Sequence, residues 1–222
     1  MTRYTQGHEQ EHILKALGAI DHADGGLPII GKGRLLEIGA WEPKTFSNSR
    51  ALIELGWSAV LFEPSPGPLK ALVQEYGNNA RVEVVGLPVT EFGFKGGVRR
   101  KGNYLELRVT DDALSTDADN TEHLKKWENY GFYGNLTTWA VSIEEVFEHW
   151  GAESGFDFVS IDTEGSSVDL FRAMIRLGNR PLCVCVEHND RWEHLRELAE
   201  YARYDLVFRS GENVVLKWRG ER

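Results

Sequence analysis

A chain of 222 residues, 41% apolar and 27% charged, suits one large globular domain or a domain with an insertion, and can bury a core without disulfide or metal staples. Its net charge of −9 argues against a nucleic-acid partner, whose phosphates call for clustered Lys and Arg. No apolar run approaches the ~18 residues of a membrane span, and the polar first ten residues lack a signal-peptide core, so no membrane partner and a cytoplasmic location are expected.

Ile13, Leu14, Leu17 and Ile20 recur at helical spacing within His8–Ile20, and Asp24-Gly25-Gly26 breaks that helix. Residues 1–33 thus read as an N-terminal helical segment. Arg34–Ala40 is an apolar run expected to be a strand buried on both faces. Ser47–Leu55 is its crossover helix, with Leu52 and Leu55 toward the sheet and Gly56 as the stop. Ser58–Glu63 follows as a second strand and Leu69–Tyr76 as a second helix, ended by Gly77-Asn78. Arg81–Val89 is a third strand, in which Pro88 marks an end or an edge.

The rhythm then breaks. Phe92–Arg100 holds three glycines and reads as a turn region, with Arg99-Arg100-Lys101 as a solvated tip. Tyr104–Val109 alternates apolar and polar residues like a half-exposed strand. Asp111–Thr138 is polar and then aromatic, at Trp127, Tyr130, Phe132 and Tyr133, with Trp139 just beyond. It is long for a structureless loop. It reads either as a substrate lid or wall, or as a surface excursion whose aromatics pack on the core.

Regular alternation returns with Ser142 and Glu145, spaced as a capping box, ahead of a helix with Ile143, Val146, Phe147 and Trp150 on its apolar face. Phe156–Ile161 is a buried strand. Val168, Phe171, Met174, Ile175 and Leu177 give the next helix its core face. Leu182–Val186 is another buried strand, placing Cys183 and Cys185 on one face as small hydrophobes. Asp190 and Glu193 are spaced to cap a helix carrying Trp192, Leu195, Leu198 and Ala202. Asp205–Arg209 and Val214–Trp218 are joined so tightly that they must be antiparallel. The fold class is therefore α/β, a doubly wound, Rossmann-like and mostly parallel sheet closed by a C-terminal antiparallel hairpin.

Ligands of doubly wound sheets lie beyond the carboxyl ends of the strands. Those ends carry Glu37, Gly39 and Ala40, then Glu63, then Gly86 to Val89, then Asp162 and Glu164, then Glu187 and His188. Five carboxylates and one His thus converge on one rim. The glycine lets backbone approach a ligand, and Glu63, 24 residues later, can accept hydrogen bonds from both hydroxyls of a ribose. Gly86 to Val89 is a neighbour for an adenine ring.

Leu36-Glu37-Ile38-Gly39-Ala40, Phe62-Glu63-Pro64 and Asp162-Thr163-Glu164-Gly165 together resemble the motifs of the FkbM family of S-adenosylmethionine-dependent methyltransferases. The order and spacing agree from about Arg34 to Trp218, and Asn213–Trp218 looks like the family's final strand. The resemblance implies S-adenosylmethionine as cofactor, with Glu37, Gly39 and Ala40 along its methionine and ribose side. It implies Glu63, followed by Pro64, at the ribose, and Asp162, with Glu164 in the same motif, beside the reacting methyl or a substrate hydroxyl. It also implies a methyltransferase domain over 34–222 with an insertion at about 92–139, and methyl transfer to a hydroxyl oxygen of a small-molecule or glycan acceptor. One departure stands out. Where the family has a second glycine after Gly39, this chain has Trp41-Glu42-Pro43-Lys44, a stiffer and bulkier loop.

A hydroxyl acceptor needs a base or a metal. His188 is the best general-base candidate, since an ordinary imidazole titrates near ~6.5. Alternatively Asp162, Glu187 and His188 hold a divalent ion such as Mg²⁺ that acidifies the hydroxyl. Structural readings of the same residues pair Glu187 with Arg180 or Arg191 and use His188 to cap the following helix. Two other readings of the whole chain are a catalytically silent nucleoside-binding module and a nucleotide-dependent enzyme of another class on a related fold.

Overall fold

A computed structural model describes residues 2–18, 32–91, 104–109, 115–117, 119, 121–126, 128–129, 134–152 and 155–220. The first half comprises α1 (Glu9–Ala16), β1 (Arg34–Ile38), α2 (Arg50–Glu54), β2 (Ser58–Phe62), α3 (Pro66–Tyr76), β3 (Val82–Val85) and β4 (Val89–Thr90). An excursion follows: β5 (Tyr104–Val109), β6 (Thr116–Asp117), α4 (Thr121–Lys126) and β7 (Gly134–Trp139). The chain then returns through β8 (Val141–Ser142), α5 (Ile143–His149), β9 (Phe158–Ile161), α6 (Ser167–Arg176), β10 (Cys183–Glu187) and α7 (Trp192–Tyr201), and ends in β11 (Tyr204–Arg209) and β12 (Asn213–Trp218).

Seven strands form one sheet in the order β11-β12-β10-β9-β1-β2-β3. From β10 through β9, β1 and β2 to β3 every pair is parallel, while β12 runs antiparallel to both β10 and β11. The expected closing hairpin is thus present, with its second strand inserted next to β10. The chain leaves β1 toward β2 and β3 on one side and later returns to β9 and β10 on the other. The strand order therefore reverses between β1 and β9, and such a switch point opens a crevice at the carboxyl ends.

Strand alternation explains the two core layers. Leu36, Ile38, Val159, Ile161, Val184 and Val186 face α5 and α6 with Val146, Phe171 and Met174. Leu35, Phe158, Cys183 and Cys185 face the other way, onto Ile13 and Leu14 of α1, Leu52 of α2 and Leu72 of α3. Both cysteines are free and buried. Among the described residues no helix is long and apolar enough to cross a membrane.

Several boundaries differ from the sequence reading for local reasons. The helix α3 starts at Pro66 rather than Leu69, because proline's fixed φ suits the first turn. The strand read as Arg81–Val89 stops at Val85; beyond Pro88, Val89–Thr90 pairs in parallel with Val141–Ser142 instead. Ser142 and Glu145 do form a reciprocal capping box. The expected Asp190 cap on α7 is not made: Asp190 has φ 58°, and its carboxylate pairs with Lys126 at 3.2 Å. Leu177, read as core, is 43% exposed at the end of α6.

The excursion is partly ordered structure of its own. The strands β6, β5 and β7 form a small antiparallel sheet, burying Leu105, Leu107 and Val109 against Ala140. Trp139 is 53% exposed. Trp127, Tyr130, Phe132, Tyr133 and the Arg99-Arg100-Lys101 tip lie outside the described residues.

Candidate functional site

The switch point is knit by backbone. The amides of Gly39 and Ala40 both donate to the Phe62 carbonyl, and the Asp162 amide donates to the Ile38 carbonyl. Gly39 has φ 81°, and a Cβ there would overlap the carbonyl oxygen of Asp162. Glycine is therefore dictated by the approach of β9, in addition to any approach by a ligand.

Glu37 and Glu63 sit on the β1–β2 side, and both are buried. Glu37 accepts from the Asn48 amide at 3.1 Å and from the Ser49 hydroxyl, while Asn48 Nδ2 reaches Ser160 Oγ at 3.1 Å. Its carboxylate thus anchors the loop that enters α2, which begins at Arg50 rather than at Ser47. Burial pushes Glu37 up to about 7, against the lowering effect of the Ser49 and Asn48 donors.

Glu63 accepts from the Trp41 amide at 2.8 Å on Oε2 and from the Ser65 amide at 2.6 Å on Oε1. Burial raises its pKa and these donors oppose the rise. They fix the carboxylate without exhausting its ~4 lone-pair sites. The Trp41–Lys44 loop owes part of its shape to this contact. Trp41 and Phe46 both take left-handed φ, at 45° and 60°, and stack with centroids 5.8 Å apart.

The β9–β10 side is arranged differently. Asp162, Glu164 and Glu187 bring carboxylate oxygens within 4.8 Å of one another. The Glu164 amide and the Ser167 hydroxyl both donate to Glu187 Oε2, at 3.2 and 3.1 Å. Burial first, and then the charges of Glu187 and Glu164, hold Asp162 well above the usual carboxylate range. Burial also raises Glu187. Two carboxyls so placed do not both ionise readily.

His188 does not belong to that group. It is 4% exposed, and neither ring nitrogen has a hydrogen-bond partner among the described residues. Its amide continues the ladder to the Glu212 carbonyl, so strand alternation turns its side chain away from that of Glu187. The structure therefore corrects the set Asp162, Glu187 and His188: the third ligand atom near the two acids comes from Glu164. An all-oxygen set would suit a hard cation such as Mg²⁺. The other expected partners of Glu187 are engaged elsewhere. Arg180 donates to the Ile175 and Asn179 carbonyls, and Arg191 grips Asp169 through two hydrogen bonds of 2.8 and 3.1 Å. No side chain caps α7; His188 contributes only its carbonyl, which accepts from the Arg191 amide.

A cleft of about 320 Å³ opens between these two sides. Of the residues expected at a cofactor, Gly39 and Pro64 line it. Glu37, Ala40, Glu63 and Gly86 do not, though Glu63 sits between the lining residues Phe62 and Pro64. Leu87, Pro88 and Val89 supply the apolar wall beside Gly86. The far wall comes from Leu105, Leu107, Thr116 and Asp117 of the excursion and from Asp169 of α6. Thr116 and Asp117 fall within the segment for which a lid or wall is one reading, whereas sequence reasoning does not single out Leu105, Leu107 and Asp169 for the site. Those residues carry no motif. Only pairing of β5 with β6, and packing against the rim, brings them here.

Residues 37–207 match the family model described as the methyltransferase FkbM domain. No curated protein matches the chain by sequence. Among solved structures, the SAH-bound methyltransferase of Podospora anserina aligns at 14% identity over 85% of this chain and 72% of that one, with a TM-score of 0.42. The Methanococcus jannaschii fibrillarin pre-rRNA processing protein aligns at 11% identity over 95% and 76%, with a TM-score of 0.46. A Streptococcus agalactiae protein of the NADB-Rossmann superfamily aligns at 14% identity over 96% and 69%, with a TM-score of 0.41. Scores this low carry no argument about activity.

Proposed function

Because the chain belongs to the FkbM family of methyltransferases, we propose that it moves a methyl group from S-adenosylmethionine to a hydroxyl oxygen of a small-molecule or carbohydrate acceptor. The observation that carries this reading is the cleft at the β1–β9 switch point, with the Glu63 carboxylate oriented beside it by two backbone amides. The residues present fit the cofactor. Glu63 retains acceptor capacity for ribose hydroxyls, Leu87-Pro88-Val89 offers an apolar wall for adenine, and Gly39 presents bare backbone between them.

S-adenosylmethionine supplies, when bound, an electrophilic methyl carbon on a sulfonium leaving group. The chain's own contribution is alignment and proton management. As the new C–O bond forms and the S–C bond breaks, the hydroxyl proton must leave the acceptor. Asp162 and Glu187 are the proton acceptor in this reading: carboxyls raised by burial and crowding are stronger bases than ordinary ones. His188 stands outside the group formed by Asp162, Glu164 and Glu187, none of which lines the cleft directly, and is left out of this role. The excursion walls the acceptor side with Leu105, Leu107 and Thr116.

The test is formation of S-adenosylhomocysteine from S-adenosylmethionine across a panel of sugars, polyols and phenols. Turnover on a hydroxyl acceptor, lost roughly 100-fold or more in Asp162→Asn with cofactor binding kept, supports the proposal. Methyl transfer confined to amines or thiols overturns the acceptor class.

A further inference from the structure

Thr116 belongs to the excursion, yet it is 2% exposed, lines the cleft, and donates its hydroxyl to the carbonyl of Glu164 at 2.6 Å. The residue it holds is unusual. Glu164 has φ 51°, a conformation non-glycine residues avoid unless their surroundings impose it. On its other side the Glu164 amide donates to Glu187 Oε2 at 3.2 Å. The hydroxyl of Thr116 and the carboxylate of Glu187 therefore grip the two peptide groups that flank the Glu164 Cα. Between them they fix where its side chain points: toward Asp162 and Glu187, within 4.8 Å of both.

Three carboxyl groups at that spacing repel one another, and a cation brought beside them relieves the repulsion. The methyl donor carries a cation at its sulfonium; the demethylated product is neutral there. Thr163 and Ser166, which flank Glu164 and Gly165, line the cleft together with Gly39; the three acids stand behind these residues rather than in the lining itself.

We infer that Thr116 is a positioning residue: by holding Glu164 with Asp162 and Glu187 behind the cleft lining, it sets the preference of the site for the positively charged donor over its neutral product. This rests on the S-adenosylmethionine reading. The excursion is then more than an acceptor wall, because it reaches 48 residues along the chain to shape the charge of the cofactor site.

The experiment is calorimetric titration of the wild type, Thr116→Val and Thr116→Ser with S-adenosylmethionine and, separately, with S-adenosylhomocysteine. Thr116→Val should lower the donor-to-product affinity ratio roughly five- to tenfold while product affinity stays within about twofold, and Thr116→Ser should restore the ratio. An unchanged ratio, an equal loss of both affinities, or failure of serine to restore overturns the inference. Should Thr116→Val not fold, Glu164→Gln carries the test, since it keeps the gripped carbonyl and removes only the charge. The same drop in ratio supports the inference and no drop sinks it. If the wild type binds neither ligand, the S-adenosylmethionine reading itself fails and this inference with it, a result distinct from binding without discrimination.

Discussion

The two sides of the switch point use the same side chain in opposite ways. On the β1–β2 side, Glu37 and Glu63 are each surrounded by donors: amides of Asn48, Trp41 and Ser65 and the hydroxyl of Ser49. On the β9–β10 side, Asp162, Glu164 and Glu187 face one another. A carboxylate ringed by donors is a fixed part of the scaffold. Carboxyls that crowd one another resist ionising together and hold a proton more tightly than an isolated carboxylate. In the proposed reading, one side holds the ligand and the other acts on it.

The strongest way to break this comparison is at the seam between the sides. Gly39→Ala forces a left-handed alanine whose methyl overlaps the Asp162 carbonyl. It should cost about 3 kcal/mol or more of stability, read as a shift in the urea midpoint. A cost below about 1 kcal/mol would show that β9 does not press on β1 as described.

Next in size is a pair of substitutions expected to differ in sign. Glu37→Ala strands the Asn48 amide and the Ser49 hydroxyl and should destabilise by about 2 kcal/mol. Asp162→Asn removes a charge from a crowded group and should leave stability at neutral pH unchanged or raised. Equal losses from both would erase the distinction between the two sides.

The pH dependence sharpens the same point. Glu37 is held at about 7 when folded, against an ordinary 4.5, mainly by burial. Its contribution as a neutral acid is fully present below about pH 4.5 and is lost as pH rises through about 7. Denaturant melts over that window should show a decline with rising pH that is shallower in Glu37→Gln, with the raised Glu63, Asp162 and Glu187 carboxyls contributing the rest.

The smallest effect belongs to Lys126→Ala. The Lys126–Asp190 pair joins the excursion to the loop after β10, but both partners are largely exposed, at 52% and 82%. Removal should cost at most about 1 kcal/mol and leave cofactor affinity alone. A large loss would mean that the excursion is fastened there rather than through Thr116.

Much of this was legible in the sequence because it depends on neighbours along the chain. The run Leu35–Ile38 and the run Phe158–Ile161 announce buried parallel strands, and the acids that end them mark the rim. The capping box at Ser142 spans only three residues and was readable for the same reason. What escaped depends on distant partners. Nothing beside Gly39 reveals that Asp162, 123 residues later, is what its missing Cβ makes room for. Nothing in Thr116 reveals the Glu164 carbonyl. Asp190 had the spacing of a helix cap, but its left-handed backbone and Lys126 took it elsewhere. Glu37 looked like a ligand for the cofactor until Asn48 and Ser49 claimed it.

The proposal places S-adenosylmethionine in the cleft between the two sides, with Glu63 as an anchor. Calorimetric titration of the wild type and Glu63→Ala with S-adenosylmethionine tests it most directly. Saturable one-to-one binding is expected for the wild type, weakened by about 1.5–3 kcal/mol in Glu63→Ala, the loss typical of hydrogen bonds to a charged group. Absence of binding by the wild type, or equal affinity in the two proteins, would contradict it.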